Sequence, residues 1–103
     1  MIKVSVLYPN SPESTFDMIY YLDKHVPMVQ GKVGSACKGF AVEAGIAGGA
    51  PHAPATYTAM GHLYFEFAED FQSAFGPHAE SILGDIPNFT SGTPVLQISE
   101  VKI

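Results

Sequence analysis

The sequence contains no arginine, and its five lysines are scattered along the chain. The formal net charge at pH 7 is −5. Nucleic-acid binding depends on clustered lysine and arginine side chains, so this class of function is excluded. The missing arginine also argues against a dedicated clamp for phosphate or carboxylate groups, because such clamps favour the bidentate guanidinium.

Cysteine is represented by Cys37 alone. An internal disulfide bond and a cysteine-rich zinc site are therefore both excluded. Cys37 lies among small and apolar residues, where a buried thiol is expected rather than a nucleophile. The histidines show no His-x-x-x-His pair and no other metal-binding spacing. We therefore expect neither a metal ion nor a cofactor.

Long apolar runs are also missing, since no stretch approaches the roughly 20 residues that cross a bilayer. The chain begins directly with an alternating strand pattern rather than a charged and then apolar leader. We therefore expect a cytoplasmic protein with no membrane partner.

Apolar residues are what the chain has in excess. Hydrophobic residues make up 47% of the 103 residues and charged residues 15%, whereas charged residues average about 25% in soluble domains. A chain of this length is expected to form a single domain, residues 1–103. A domain this small buries only part of its surface, so we expect the remaining apolar surface to be covered in a homodimer.

Hydrophobic periodicity divides the chain into four strands and two helices. The strands are predicted at Ile2–Tyr8, Lys38–Ile46, Tyr57–Phe67 and Pro94–Ile103. The first helix is predicted to begin at Ser11–Pro12, with the serine as N-cap, and to end near Gly31–Gly34. The second is predicted to open at Glu69–Asp70 and to end at Gly84.

The order strand, helix, strand, strand, helix, strand predicts an α+β fold, the ferredoxin-like βαββαβ sandwich. In this fold two helices cover one face of a four-stranded antiparallel sheet. The predicted strands are largely apolar on both faces. The second face is therefore expected to pack against another copy of the chain, which gives a dimeric α+β barrel.

A proline interrupts the first predicted helix two residues after His25. Pro27 has no N–H for the helix and disfavours the helical conformation at Val26, so the helix should kink or restart here. An imidazole beside such a break can accept and donate protons near neutral pH, which makes His25 the candidate catalytic residue. Alternatively, His25 serves only to cap the freed carbonyls.

Three segments carry a family resemblance: the opening strand Ile2–Tyr8, the Tyr-Tyr-Leu-x-x-His-Val-Pro run at 20–27, and the passage from Leu63–Phe67 into Phe71–Phe75. Together they resemble the EthD family of the dimeric α+β barrel superfamily. The resemblance implies that fold, a homodimer and an association with ethyl tert-butyl ether degradation, without a defined catalytic step. Similar barrels include lactone isomerases, polyketide cyclases, cofactor-free monooxygenases and haem-degrading enzymes. In methylmuconolactone methylisomerase-like relatives the histidine that matches His25 is proposed to act on a small lactone.

Four further residues are predicted to bind a ligand: Tyr8, Tyr21, His62 and Tyr64. The tyrosine hydroxyls would orient an oxygen atom in an apolar cavity, whereas the alternative is ring packing alone. His62 lies in the middle of the third predicted strand. If its side of the strand faces the helices, the ring meets a pocket with His25, and otherwise it lies in an interface.

Three functions are compatible with these residues. The first is a cofactor-free isomerase, cyclase or oxygenase-type enzyme that binds an apolar oxygenated small molecule between helices and sheet, with His25 as acid and base. The second is a non-catalytic accessory or carrier protein of an oxygenase system. The third is a haem-binding barrel, in which a histidine would ligate iron.

Overall fold

The computed structural model describes residues 1–103. Its four strands are β1 (Ile2–Pro9), β2 (Gly39–Ala44), β3 (Tyr57–Phe65) and β4 (Val95–Glu100). They pair in an antiparallel sheet in the order β2–β3–β1–β4. Two helical segments pack against one face of this sheet. The predicted ferredoxin-like α+β fold is therefore confirmed.

Each helical segment is built from short pieces. The first contains α1 (Met18–Tyr20), a π-helical turn (Tyr21–His25), α2 (Val26–Val33) and a 3₁₀ turn (Gly34–Ala36). The second contains α3 (Ala68–Phe75), a 3₁₀ turn (Gly76–His78), α4 (Ala79–Asp85) and a 3₁₀ turn (Ile86–Asn88). Pro27, Pro77 and Pro87 lie at three of the changes in helix type. Each proline removes one backbone donor, so the regular α-helical bonding pattern ends there.

The first helix begins later than predicted. Ser11 and Pro12 lie in a turn, where the Ser11 hydroxyl accepts from the Glu13 N–H at 3.3 Å. The N-cap is Asp17, whose side chain accepts from the Tyr20 N–H at 3.0 Å. The intervening residues are not helical because Phe16 forms a β-bridge with Thr90. Pairing with a distant segment therefore overrides the local start signal.

The second helical segment extends past its predicted end at Gly84. This glycine lies inside α4, and the chain continues helically to Asn88. A glycine that ends a helix takes a left-handed backbone, and the only glycine with a positive φ is Gly34, at 63°. Gly34 directly follows α2, so the predicted end of the first helix is confirmed.

The core lies between the sheet and the helices in two adjoining clusters. One contains Val4, Val29, Val33, Leu63, Phe65, Phe71 and Ile82. The other contains Tyr8, Tyr21, Val26, Ala59, Ile86 and Phe89. The strand members of both clusters alternate along β1 and β3, as expected when every second side chain points to the helices.

The side of the sheet turned away from the helices, here called the outer face, is more polar than predicted. It consists of Lys3, Ser5, Leu7, Gly39, Ala41, Glu43, Met60, His62, Tyr64, Val95, Gln97 and Ser99. The prediction of two largely apolar faces is therefore wrong for this face. Ser5 and His62 are buried at its centre, and both have a hydrogen-bond partner: Ser5 contacts His62, which also contacts the exposed Glu43.

Candidate functional site

His25 is positioned by a π-helical turn that ends shortly before Pro27. The Val26 N–H donates to the carbonyl of Tyr21, five residues earlier, instead of the carbonyl four residues earlier. Pro27 lies at the start of α2 and has no N–H to give. The turn leaves Tyr21 and His25 buried on the sheet side of the helix. The predicted interruption at Pro27 is confirmed, in the form of this wider turn followed by a restarted α-helix.

Asp85, the last residue of α4, contacts His25. Its Oδ2 lies 2.9 Å from His25 Nδ1, and its Oδ1 accepts from Tyr20 Oη at 2.8 Å and from Asn88 Nδ2 at 2.9 Å. Partial burial raises the pKa of Asp85, but the three hydrogen bonds, that of Asn88 first, outweigh it and the net pKa is lowered. An ionised carboxylate beside Nδ1 holds the proton on that nitrogen. Nε2 is then the nitrogen that can exchange a proton with a ligand.

Aromatic rings restrain the imidazole of His25. Tyr21 stacks on it with ring centroids 5.7 Å apart and an interplanar angle of 19°. Phe89 contacts it from another side, with centroids 4.6 Å apart. Both neighbours are buried. The two ring nitrogens of His25 therefore keep fixed directions, one toward the carboxylate and one away from it.

An apolar cleft lies beside His25, between the helices and the sheet. Its cavity volume is about 40 Å³, it is open to solvent, and 14 of its 16 lining residues are hydrophobic. The rings in its lining belong to Tyr8, Tyr21, His25, Phe40, Phe71 and Phe75. Leu83 of α4 and Leu96 of β4 also line the cleft but are 45% exposed, so they mark its mouth.

Tyr8 and Tyr21 bring two hydroxyl groups to this cleft. Their rings pack edge to face with centroids 5.5 Å apart, and both side chains are buried. Burial raises the pKa of Tyr8 above its ordinary range, and the adjacent Tyr21 raises it further. Burial also raises the pKa of Tyr21 to about 12, against the opposing effect of the adjacent Tyr8 hydroxyl. Both hydroxyls are therefore protonated at neutral pH.

Gly61 on β3 makes room for one of these hydroxyls. A Cβ atom at this position would lie 2.6 Å from Tyr21 Oη. The missing side chain thus lets the phenol reach the central strands of the sheet. Gly61 belongs to the site as the residue that admits Tyr21.

The structure separates the predicted ligand-binding residues into two groups. Tyr8 and Tyr21 line the cleft with His25, whereas His62 and Tyr64 point to the outer face. Of the two alternatives given for His62, the structure therefore supports the face turned away from the helices, because β3 is an extended strand whose alternate residues point to opposite faces.

His62 has partners of its own on the outer face. Ser5 Oγ lies 2.9 Å from His62 Nδ1, and Glu43 Oε1 lies 3.2 Å from Nε2. Ser5 and His62 are buried, whereas the Glu43 side chain is 56% exposed. Ser5 and His62 face each other directly in the pairing of β1 with β3. The cluster is thus a hydrogen-bonded network between adjacent strands.

Sequence reasoning missed Asp85, because it lies 60 positions from His25 and shows no motif. One local signal is present: Asp85 sits between the apolar positions Ile82 and Ile86 on the sheet side of α4. A carboxylate in such a helical stripe needs a partner, so a search for opposed basic or imidazole groups would have singled it out.

No group of three or more His, Cys, Asp or Glu side chains is arranged to hold a metal ion. The cleft also does not fit a haem group, since no lysine lines it and the haem propionates would lack a cation. None of the helices has both the length and the apolar character that a bilayer crossing requires.

The ferredoxin-like fold and the cleft beside the His25–Asp85 pair place this chain among small α+β proteins with a pocket between helices and sheet. The EthD domain model matches residues 11–93, and the chain belongs to the EthD family. The resemblance stated from the sequence is therefore confirmed. None of the curated proteins compared with the chain matches it in sequence.

Solved structures agree with this assignment. An EthD-like protein from Ralstonia eutropha JMP134 is 48% identical over 99% of this chain and 92% of its own, with a TM-score of 0.93. An ethyl tert-butyl ether (EthD) family protein from Bacillus halodurans C-125 is 22% identical, with 98% of both chains covered and a TM-score of 0.74. HapK from Hahella chejuensis is 8% identical over 100% of this chain and 95% of its own, and its TM-score of 0.61 reflects the fold alone.

Proposed function

We propose that this EthD-family chain binds a small, apolar, oxygenated molecule in the cleft and moves a proton on it without a cofactor, with His25 as acid and base. One observation carries the proposal: His25 Nδ1 lies 2.9 Å from the Asp85 carboxylate, and the same ring lines the apolar cleft. A buried imidazole with one nitrogen fixed by a carboxylate is arranged to exchange protons at the other.

The proposed step is a proton transfer next to a carbonyl group. His25 Nε2 takes a proton from the carbon beside the carbonyl, and the electron pair of the C–H bond moves toward the carbonyl oxygen. Tyr8 and Tyr21, as protonated hydroxyls, bind that oxygen. Asp85 stabilises the imidazolium that forms, and the proton then returns to the same carbon or, in a ligand with a β,γ double bond, to the γ carbon. Return to the γ carbon shifts the double bond to the α,β position and completes an isomerisation.

Proton exchange on simple neutral probes tests this proposal. Acetophenone and α-angelica lactone are incubated with the protein in D₂O, and NMR follows deuterium entry beside the carbonyl. We expect exchange above background, reduced by about 10²-fold or more in His25→Ala. The control is His52→Asn, since His52 is exposed and has φ 63°, a conformation that asparagine tolerates.

Two results would contradict catalysis by His25. One is exchange that persists unchanged in His25→Ala, and the other is a wild-type protein that binds both probes without exchange. The second result would favour the accessory or carrier function, which the largely apolar lining also permits. Participation in ether degradation, suggested by the family name of the Bacillus halodurans protein, would then be the first carrier role to examine.

A homodimer is the second part of the proposal, with the outer face covered by the outer face of a second copy. In support, Ser5, His62 and Glu43 at the centre of the outer face already bond to one another. A second copy that covers this cluster therefore leaves no unpaired donor in it. His62 and Tyr64 would then be interface residues rather than ligands of the cleft. Light scattering coupled to gel filtration should give twice the chain mass of 11.0 kDa.

A further inference from the structure

We infer that the cleft selects uncharged molecules that carry a single hydrogen-bonding oxygen, and that it rejects carboxylates. This inference deepens the proposed function, because it rests on a small molecule binding beside His25. It names the class of ligand from three features of the cleft: the charges around it, the hydroxyls at its inner end and the apolar rim at its mouth.

The charges disfavour anions. No lysine lines the cleft, and the chain has no arginine. Asp85, held ionised by its hydrogen bonds, stands directly behind His25. A carboxylate in this apolar space would lose its hydration without meeting a cation, and it would be repelled by a neighbouring negative charge.

The inner end offers hydrogen-bond donors to one oxygen. The Tyr21 side chain lines the cleft, and its protonated hydroxyl is a hydrogen-bond donor. Gly61 leaves the space in which that hydroxyl lies. A ketone, lactone or phenol oxygen matches this donor, whereas a second polar group would find no partner among the hydrophobic walls.

The mouth of the cleft receives the apolar end of the ligand. Leu83 and Leu96 form its rim from α4 and β4, and Phe75 also lines the cleft. Contact between a hydrocarbon end and these side chains removes apolar surface of both from water. The ligand would therefore enter with its oxygen first and leave its apolar end at the rim.

Binding of two nearly equal-sized probes tests the inference. Acetophenone is a neutral ketone, and benzoate is an anion of the same ring size at pH 7. Ligand-observed NMR titration of the full chain should show acetophenone binding at least about tenfold more tightly, a difference of about 1.4 kcal/mol. Equal or tighter binding of benzoate would overturn the inference, and so would a failure of acetophenone to bind up to its solubility limit.

Two variants sharpen the test. Leu83→Lys places a cation at the exposed rim, where it does not disturb the core, and should strengthen benzoate binding while acetophenone changes little. Tyr21→Phe should weaken acetophenone but leave ethylbenzene, which lacks the oxygen, unchanged. If Tyr21→Phe weakens both equally, the hydroxyl is not the recognised donor and this part of the inference fails.

The outcomes also separate this inference from the proposed function. Selective binding of acetophenone without deuterium exchange would refute proton transfer by His25 and leave the ligand class intact. Deuterium exchange on acetophenone together with equally tight binding of benzoate would refute the ligand class and leave proton transfer by His25 intact.

Discussion

At the scale of single residues, Asp85 joins the first helical segment to the second through its side-chain contacts. It receives hydrogen bonds from Tyr20, His25 and Asn88. Only the imidazole among them reaches the cleft, so the other two serve to hold the carboxylate in place and ionised. Asp85 therefore acts as a positioning residue for His25 rather than as a group that touches the ligand.

The first prediction concerns the pH dependence that Asp85 gives to stability. Its pKa is lowered in the folded chain relative to 3.8, so its stabilising effect is present above about that pH and is lost as pH falls through the lower folded value. Urea unfolding between pH 2 and pH 7 should therefore show a smaller acid loss of stability in Asp85→Asn than in the wild type. Identical pH profiles of unfolding free energy in the two proteins would contradict a lowered pKa of Asp85 in the folded chain.

Asp85→Asn should also slow deuterium exchange on acetophenone and α-angelica lactone more than His52→Asn does.

A second prediction concerns the fit between Gly61 and Tyr21. In Gly61→Ala the new methyl group would lie 2.6 Å from Tyr21 Oη, and this ring is packed against Tyr8, Phe16 and Phe89 and cannot easily retreat. We expect a loss of about 1–3 kcal/mol in unfolding free energy, the range typical of overpacking.

The matched control for Gly61 removes the clashing atom. In the double variant Gly61→Ala with Tyr21→Phe, the nearest remaining ring atom would be Cζ at 4.0 Å, an ordinary contact. The alanine should then cost almost nothing relative to Tyr21→Phe alone. If Gly61→Ala lowers the unfolding free energy as much in the Tyr21→Phe background as in the wild type, the strain does not come from contact with Tyr21 Oη.

At the scale of elements, the strands and the proline break were predictable because each is encoded by neighbouring residues. The alternation of β1 and β3 and the missing N–H of Pro27 are local properties. The start of the first helix was not predictable, since the bridge between Phe16 and Thr90 joins residues 74 positions apart. The contact of His25 with Asp85 escaped prediction for the same reason, as did the face to which His62 points.

The third prediction uses two glycines at the end of the first helix. Gly34 has φ 63° and ψ −151°, a region that other residues enter only with strain, and its Cβ position is open. Gly34→Ala should therefore lower the unfolding free energy by about 1–3 kcal/mol through backbone strain alone.

Gly31→Ala is the matched control, because Gly31 lies inside α2 and its Cβ position is also open. In a regular helix the same substitution should stabilise the chain by about 1 kcal/mol. Thermal unfolding of both variants should thus show shifts of opposite sign. Shifts of the same sign would contradict the backbone conformation at Gly34.

At the scale of the whole molecule, the chain is a thin two-layer body of 40 × 33 × 19 Å in which 18 of 103 residues are buried. The helices cover the inner face, but the residues of β4 are largely exposed on both sides of the sheet, among them Val95, Leu96 and Ile98. Exposed apolar side chains in a continuous strand are typical of a surface that meets a partner. Of these three residues only Val95 belongs to the outer face, where the proposed second copy of the chain would form a third layer.

The last prediction is that a charge on the outer face dissociates the proposed dimer. Met60 is half-buried there and faces Glu43 across the pairing of β2 with β3. Met60→Glu would bring two carboxylates together and bury them in the interface without a cation, so the measured mass should fall from twice 11.0 kDa to 11.0 kDa. Ile19→Glu is the control, because Ile19 lies on the helical side and is 76% exposed, and it should remain dimeric. A wild-type chain that is monomeric at every concentration would refute the dimer, and dissociation by both variants would place the interface on another surface.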